Sequence, residues 1–331
     1  MAFITLIVLA GFCAGRIAAV LAASLIEPSI PTSLRACKSC GQRFSYTRQL
    51  LTLVTPLKCQ GCKRKDHWWP VAVSLVTASA FGMIAWQLQH GCQSVTEVRP
   101  SMQFWQNRLP FQLAFLFLLT SATIADLLDY VIPDAIVMSG ICLAITFATL
   151  SGELQLIHVW VNWDYDFVTL YGPFLPEWMR QHQHLHGFVW SLCGLLTGAG
   201  LMWSARIAAH WILGIAAIGL GDVTLMAMIG AFMGWQPTLC VLAIAPLVGL
   251  VLGLGGRIVT GRNFVAFGPY LCIAAYIVLL TWRLLWEGLQ LKIIFSHWPT
   301  IVGMVVGSFA VFCLLLFALR LFRAVPTERL R

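Results

Sequence analysis

Nine apolar runs divide this chain, at about 1–25, 68–89, 110–125, 134–150, 188–205, 223–235, 238–255, 267–285 and 299–320. A bilayer's hydrocarbon core is roughly 30 Å thick, so about 20 apolar residues in a helix cross it, and the backbone must satisfy its own hydrogen bonds there. The runs therefore restrict the chain to one fold class, an all-α polytopic membrane bundle. It has eight or nine transmembrane helices, because 223–235 is short and 110–125 needs its flanks. Composition removes the soluble alternative: of 331 residues 59% are hydrophobic and 10% charged, against roughly 25% charged in a soluble domain.

Four regions follow: a first helix at 1–25, a basic loop at 26–67, a helical core at 68–285 with an aromatic loop at 151–187, and an additional C-terminal helix with a basic tail at 286–331. Residues 1–25 read as a retained helix rather than a signal peptide, since no basic segment precedes the run and Arg16 interrupts it. The ninth helix reads as an addition to the core.

The net charge of +8 is a topological signal. Eight basic residues (Arg35, Lys38, Arg43, Arg48, Lys58, Lys63, Arg64 and Lys65) crowd the 26–67 loop. With that loop cytoplasmic and nine spans, the inner segments hold fifteen Lys and Arg, counting Arg206 and Arg257. The outer ones hold five: Arg99, Arg108, Arg180, Arg283 and Lys292. That bias predicts an N-terminus outside and a C-terminus inside. Lipid is the expected surrounding partner, and nothing else in the chain supports nucleic-acid binding. The loop at 151–187, with Trp160, Trp163, Tyr165, Tyr171 and Trp178, reads as an interfacial belt. Its run from Gln181 to His186 contains His182, His184 and His186, which read as polar filler rather than a metal site.

Two of the thirteen acidic residues stand at helix ends on one membrane face: Asp126, closing the run before it, and Asp222, opening the run after Gly219-Leu220-Gly221. Ionisable groups at membrane depth are costly and tend to be functional. Two neighbouring carboxyl groups do not both ionise readily, so one serves as acid and the other as base. A lone Asp at either place would simply cap a helix or mark a water boundary. The two glycines are expected to give the backbone positive φ and close approach.

Cys37-x2-Cys40 and Cys59-x2-Cys62 form two close pairs in the basic loop. That spacing suits a four-thiolate Zn2+ site, and a reducing cytoplasm disfavours two disulfides. Such a zinc would be structural, knitting a loop too small for a core. The other seven cysteines read mostly as buried small hydrophobes.

Asp126 followed by Ile132-Pro133-Asp134, then Gly219-Leu220-Gly221-Asp222, then Phe267-Gly268-Pro269-Tyr270, resembles the type IV prepilin peptidases, which are GxGD-type aspartic proteases of the bacterial inner membrane. The resemblance implies removal of the basic leader from prepilins or pseudopilins at the cytoplasmic face. Asp126 and Asp222 match the catalytic aspartates, with Asp129, Pro133, Gly219 and Gly221 supporting them. It also associates the four-cysteine loop with N-methylation of the new terminus by S-adenosylmethionine. Departures exist: Trp69-Pro70-Val71-Ala72-Val73 lacks the family's acidic residue, and Thr224 stands where Lys is usual. The alternatives are a multipass transporter or channel using the same carboxylates, and a non-catalytic scaffold descended from a peptidase.

Overall fold

The computed structural model describes residues 2–26, 57–58, 65–67, 69–93, 95, 97–98, 104–163, 173–215, 218–260 and 267–324. Cys37, Cys40, Cys59 and Cys62 lie outside the described residues, as do most of the basic loop and the basic tail.

Every apolar run is a helix. In chain order these are α1 (Ala2–Leu25), α2 (Trp69–Gln89), α3 (Phe104–Asp129), α4 (Asp134–Ser151), the short α5 (Glu177–Gln181), α6 (Gln183–Leu213), α7 (Leu220–Met233), α8 (Trp235–Thr260), α9 (Gly268–Arg283), the short α10 (Leu291–Ser296) and α11 (Trp298–Ala324). A π turn, Leu284–Gly288, prolongs α9. The bundle is all-α but for a ribbon in which β1 (Leu57–Lys58) pairs antiparallel with β2 (Lys65–His67).

Among the described residues eight helices are long and apolar enough to cross a membrane, and α7 is a shorter apolar helix beside them. Its 14 residues rise only about 21 Å at ~1.5 Å each. It runs alongside α6 between the levels of Arg206 and Trp190. Asp222 begins it near Arg206 of α6, and Gly234, just after it, lies against Trp190 near the start of α6. The reason it can be short is its surroundings. Val223 and every residue from Leu225 to Met233 are buried, so protein rather than lipid covers it from its second turn to its end, and a helix apolar on all sides belongs in such a core.

Around α7 pack α6, α4, α8 and α9, while α1 pairs with α2 and both lean on α3. Small residues set the closest contacts: a Cβ at Gly194 of α6 would strike the Gly230 carbonyl of α7, and the reverse holds for Gly230. Such approach is how helices associate where water gives no hydrophobic drive. The last helix, α11, lies against α6 with no buried residue in its membrane-length window.

At the far end, the described residues on either side of the connection between α4 and α5 are tied into the bundle. Trp163 and Trp286 both donate their indole N–H to Glu97 Oε1, at 2.8 and 2.7 Å. Lys292 sits 4.4 Å over the Trp163 ring. Trp235 Nε1 donates to the Val159 carbonyl at 2.7 Å. His186 is buried rather than filler, accepting from the Val159 N–H at 3.2 Å and packing near His158 and Trp178. His184 instead meets the Thr149 carbonyl. Among the described residues no cluster of three or more metal-ligating side chains forms.

Several loop assignments made from charge also shift. Arg108 lies inside α3, fully buried, with Nη2 donating to the Gln155 carbonyl at 3.4 Å. Arg206 lies inside α6, and Arg257 inside α8. Helices run past the apolar cores of their segments because neighbouring helices, not only lipid, cover their ends. Of the seven remaining cysteines only Cys272 is fully buried, whereas Cys13 and Cys142 face outward.

Candidate active site

Three helix ends meet at the near end of the bundle. Helix α3 stops at Asp129 with Tyr130 in the left-handed region, φ 56°, whose N–H donates to the Asp126 carbonyl at 2.9 Å. That bond closes the helix one turn beyond the Asp126 side chain. Three extended residues follow, and Pro133, at φ −64°, leads into α4. Ile132, just before it, is buried. It reaches both other helix starts: a Cβ at Gly221 would lie 3.4 Å from Ile132 Cβ, and one at Gly268 would lie 3.2 Å from its Cδ1.

The second helix end is the start of α9. Phe267 caps it and Pro269 occupies its first turn, where a missing N–H costs nothing. The Gly268 N–H has no partner within its own helix, and it donates to Asp126 Oδ2 at 3.0 Å. Asp126 is only 5% exposed. A side chain at 268 would collide with that same oxygen, so glycine is required there for space.

The third is the start of α7. Asp222 reaches back from the first turn to accept the Gly219 N–H through Oδ2 at 3.3 Å, the acidic half of a capping arrangement. Gly219 is in ordinary extended backbone, φ −68° and ψ 152°, and neither it nor Gly221 has positive φ. The expectation of left-handed glycines is thus wrong. The glycines supply room, Gly221 for Ile132 and Gly219 for the Asp222 oxygen.

The site therefore brings Asp126 and Asp222 to one place: Ile132, between Asp126 and α4, touches the starts of both α7 and α9, and Asp222 lies within electrostatic reach of Asp126. Asp129 is partly buried at the end of α3, and it is Asp126 rather than Asp129 that the Gly268 amide reaches. Thr224 turns its hydroxyl back to the Gly221 carbonyl at 3.1 Å, bracing the first turn of α7. Two neighbours escaped the sequence reading. Cys272, one turn along α9 from Gly268, is buried beside Thr123 and lies within electrostatic reach of both carboxylates. Arg206 of α6 approaches Asp222 from outside α7. The Phe267 to Tyr270 segment was visible as a motif, but nothing in it announced that its amide holds a carboxylate.

A polytopic helix bundle with two carboxylates gathered at one end is the class of protein that these features define. Residues 113–254, which contain both aspartates, match the model of the type IV leader peptidase family. The chain is 31% identical over 158 residues to a prepilin leader peptidase/N-methyltransferase of Aeromonas hydrophila, covering 43% of this chain and 54% of that one. It is 25% identical over 221 residues to the protein of that name from Neisseria gonorrhoeae, 67% of this chain and 60% of the other. The figure for Pseudomonas putida is 23% over 252 residues, 74% and 70%. The chain spans about half the length of the Aeromonas relatives it matches. No solved structure matches it significantly.

Proposed function

We propose that this protein is a membrane aspartic endopeptidase that removes the leader of prepilins or pseudopilins, with Asp126 and Asp222 as its reacting pair. The observation that carries the reading is the convergence of the two carboxylates, each held through Oδ2 by a backbone amide beside a helix start. That anchoring leaves Oδ1 of each for the reaction. One carboxyl, protonated, gives its proton to the scissile carbonyl oxygen while the other, ionised, takes a proton from water. The water oxygen attacks the carbonyl carbon. Collapse of the tetrahedral intermediate breaks the C–N bond, and the leaving amine takes up the proton held by the base. The acid recovers its own from the intermediate's hydroxyl. The pair titrates as a unit, so the two roles are assigned to the pair rather than to either residue.

The near end is read as cytoplasmic, on the charge bias of the sequence, in the inner membrane of a bacterium. In the basic loop, Cys37, Cys40, Cys59 and Cys62 are the ligands proposed for a structural Zn2+. Four thiolates in two Cys-x2-Cys pairs suit that ion. Zinc there would supply folding energy to the loop and no chemistry to the aspartates. N-methylation, named for the relatives, is a second activity that the same product analysis reads, with S-adenosylmethionine the methyl donor that the resemblance implies.

The test is co-expression with a prepilin and mass analysis of the pilin's N-terminus. Cleavage dependent on both aspartates is expected, and full-length prepilin beside well-inserted wild-type protein would refute the reading. For the loop, purified protein should carry stoichiometric zinc that Cys37→Ser with Cys40→Ser removes. Zinc retained by that variant would overturn the ligand set.

A further inference from the structure

The two carboxylates are anchored alike but not equally well. The amide that holds Asp126, Gly268 N–H, belongs to α9 and is fixed by that helix and by Pro269. The amide that holds Asp222, Gly219 N–H, lies outside α7, in the connection from α6. Within α7 the bond to that N–H comes from Asp222, the very side chain it is to hold.

An independent hold comes from Arg206, whose Nη1 donates to the Ile218 carbonyl at 3.2 Å. The Ile218 carbonyl and the Gly219 N–H are two ends of one peptide group. A cation therefore grips one end of the amide while the Asp222 carboxylate takes the other, at 3.3 Å. Hydrogen bonds in series polarise one another, so a guanidinium on the carbonyl makes the N–H a stronger donor. Both contacts are longer than the usual 2.9 to 3.0 Å, so the peptide is held by the pair of bonds more than by either. Arg206 is half-buried on α6, a helix packed directly on α7. Its charge also reaches Asp222 directly.

We propose that Arg206 is the positioning residue for Asp222, acting through the Ile218–Gly219 peptide that links its guanidinium to the carboxylate. The inference rests on the reading of Asp222 as one of the reacting pair. It does not place Arg206 on the substrate. Losing the grip lets the peptide rotate and Asp222 swing with it, which harms the chemical step and leaves substrate binding alone.

The experiment is steady-state cleavage of a prepilin by the full-length protein in detergent or liposomes, comparing wild type with Arg206→Met, Arg206→Lys and Asp222→Asn. Arg206→Met is expected to lower kcat by about tenfold to a hundredfold, the loss that follows from removing one hydrogen bond to a charged group, with KM within about twofold. Arg206→Lys, which keeps a cationic donor, is expected to recover most of that rate. A wild-type kcat in Arg206→Met, or a raised KM with kcat unchanged, overturns the proposal. So does a Lys variant as slow as the Met variant while thermal unfolding of both matches wild type. If Arg206→Met does not fold, the Lys variant decides together with Arg206→Gln: rates ordered Arg, Lys, Gln support the proposal, and equal rates overturn it. Cleavage by Asp222→Asn would instead sink the underlying peptidase reading, so the two failures are distinct.

Discussion

At the scale of single residues, the site is organised by what its glycines leave out. Gly268 presents an N–H to Asp126 and has no room for a side chain, since a Cβ there would overlap the carboxylate it binds. Gly268→Ala should therefore push Asp126 off its anchor while leaving φ, ψ and the helix start intact. We expect cleavage to fall by about a hundredfold, the cost of a misplacement near 1 Å. Insertion should be close to wild type, with thermal stability lower by about 1 to 3 kcal/mol, the cost of overpacking a buried site. Wild-type cleavage by Gly268→Ala would show that the Asp126 anchor is dispensable. The family-like motif pointed to Asp126 with Asp129 in support, and it is Asp126 that the Gly268 amide holds. The anchors were not legible in the sequence: which amide a carboxylate reaches depends on α9, which begins 142 residues further along the chain. The supposed positive φ of Gly219 and Gly221 was misjudged because a glycine needed for space and one needed for conformation look identical in sequence.

Among the helices, the contact that most determines the geometry is α6 on α7, where Gly194 and Gly230 bring backbone against backbone. Gly194→Val must separate the two helices, and overpacking of this kind costs at least about 1 to 3 kcal/mol. Because α6 carries Arg206 and α7 carries Asp222, cleavage should suffer as well. Gly200→Val on the same helix is the matched control, for a Cβ at 200 meets nothing within 4 Å. It should leave both unfolding and cleavage near wild type, and equal destabilisation of the two variants by detergent unfolding would contradict the packing account. Helix positions were readable because lipid-spanning segments need long apolar runs. Their ends were not, since Arg108 and Arg206 lie within helices whose flanks are covered by protein. For the same reason the short run at 223–235 looked weak yet forms the most buried helix of the bundle.

Over the whole molecule, the two ends do different work. The near end assembles carboxylates from α3 and α7, whereas the far end is tied shut by polar and aromatic groups around Glu97. Glu97→Leu leaves two buried-side indole N–H groups without their acceptor and should cost about 3 kcal/mol of stability, the scale of a lost hydrogen bond to a charge. Glu97→Gln, which retains a carbonyl oxygen, should cost less. In both, the folded fraction should cleave at the wild-type rate, measured per folded molecule. A larger effect on cleavage than on unfolding would mean that the ends are coupled. The division into a spanning bundle with paired carboxylates on one face was readable from apolar runs and scarce acids. The far-end tie was not, because Glu97, Trp163 and Trp286 come together only through the fold.

The central claim is that Asp126 and Asp222 form one reacting pair. It is tested most directly by expressing Asp126→Asn, Asp222→Asn and wild type with a prepilin and reading the pilin's N-terminus by mass spectrometry. Each substitution keeps the side chain's size and one carbonyl oxygen, so the backbone anchors survive while the acid and base chemistry does not. The account predicts a processed N-terminus with wild type and only full-length prepilin with either variant, at equal membrane levels of the three proteins. A processed pilin from either variant at the wild-type rate would contradict it.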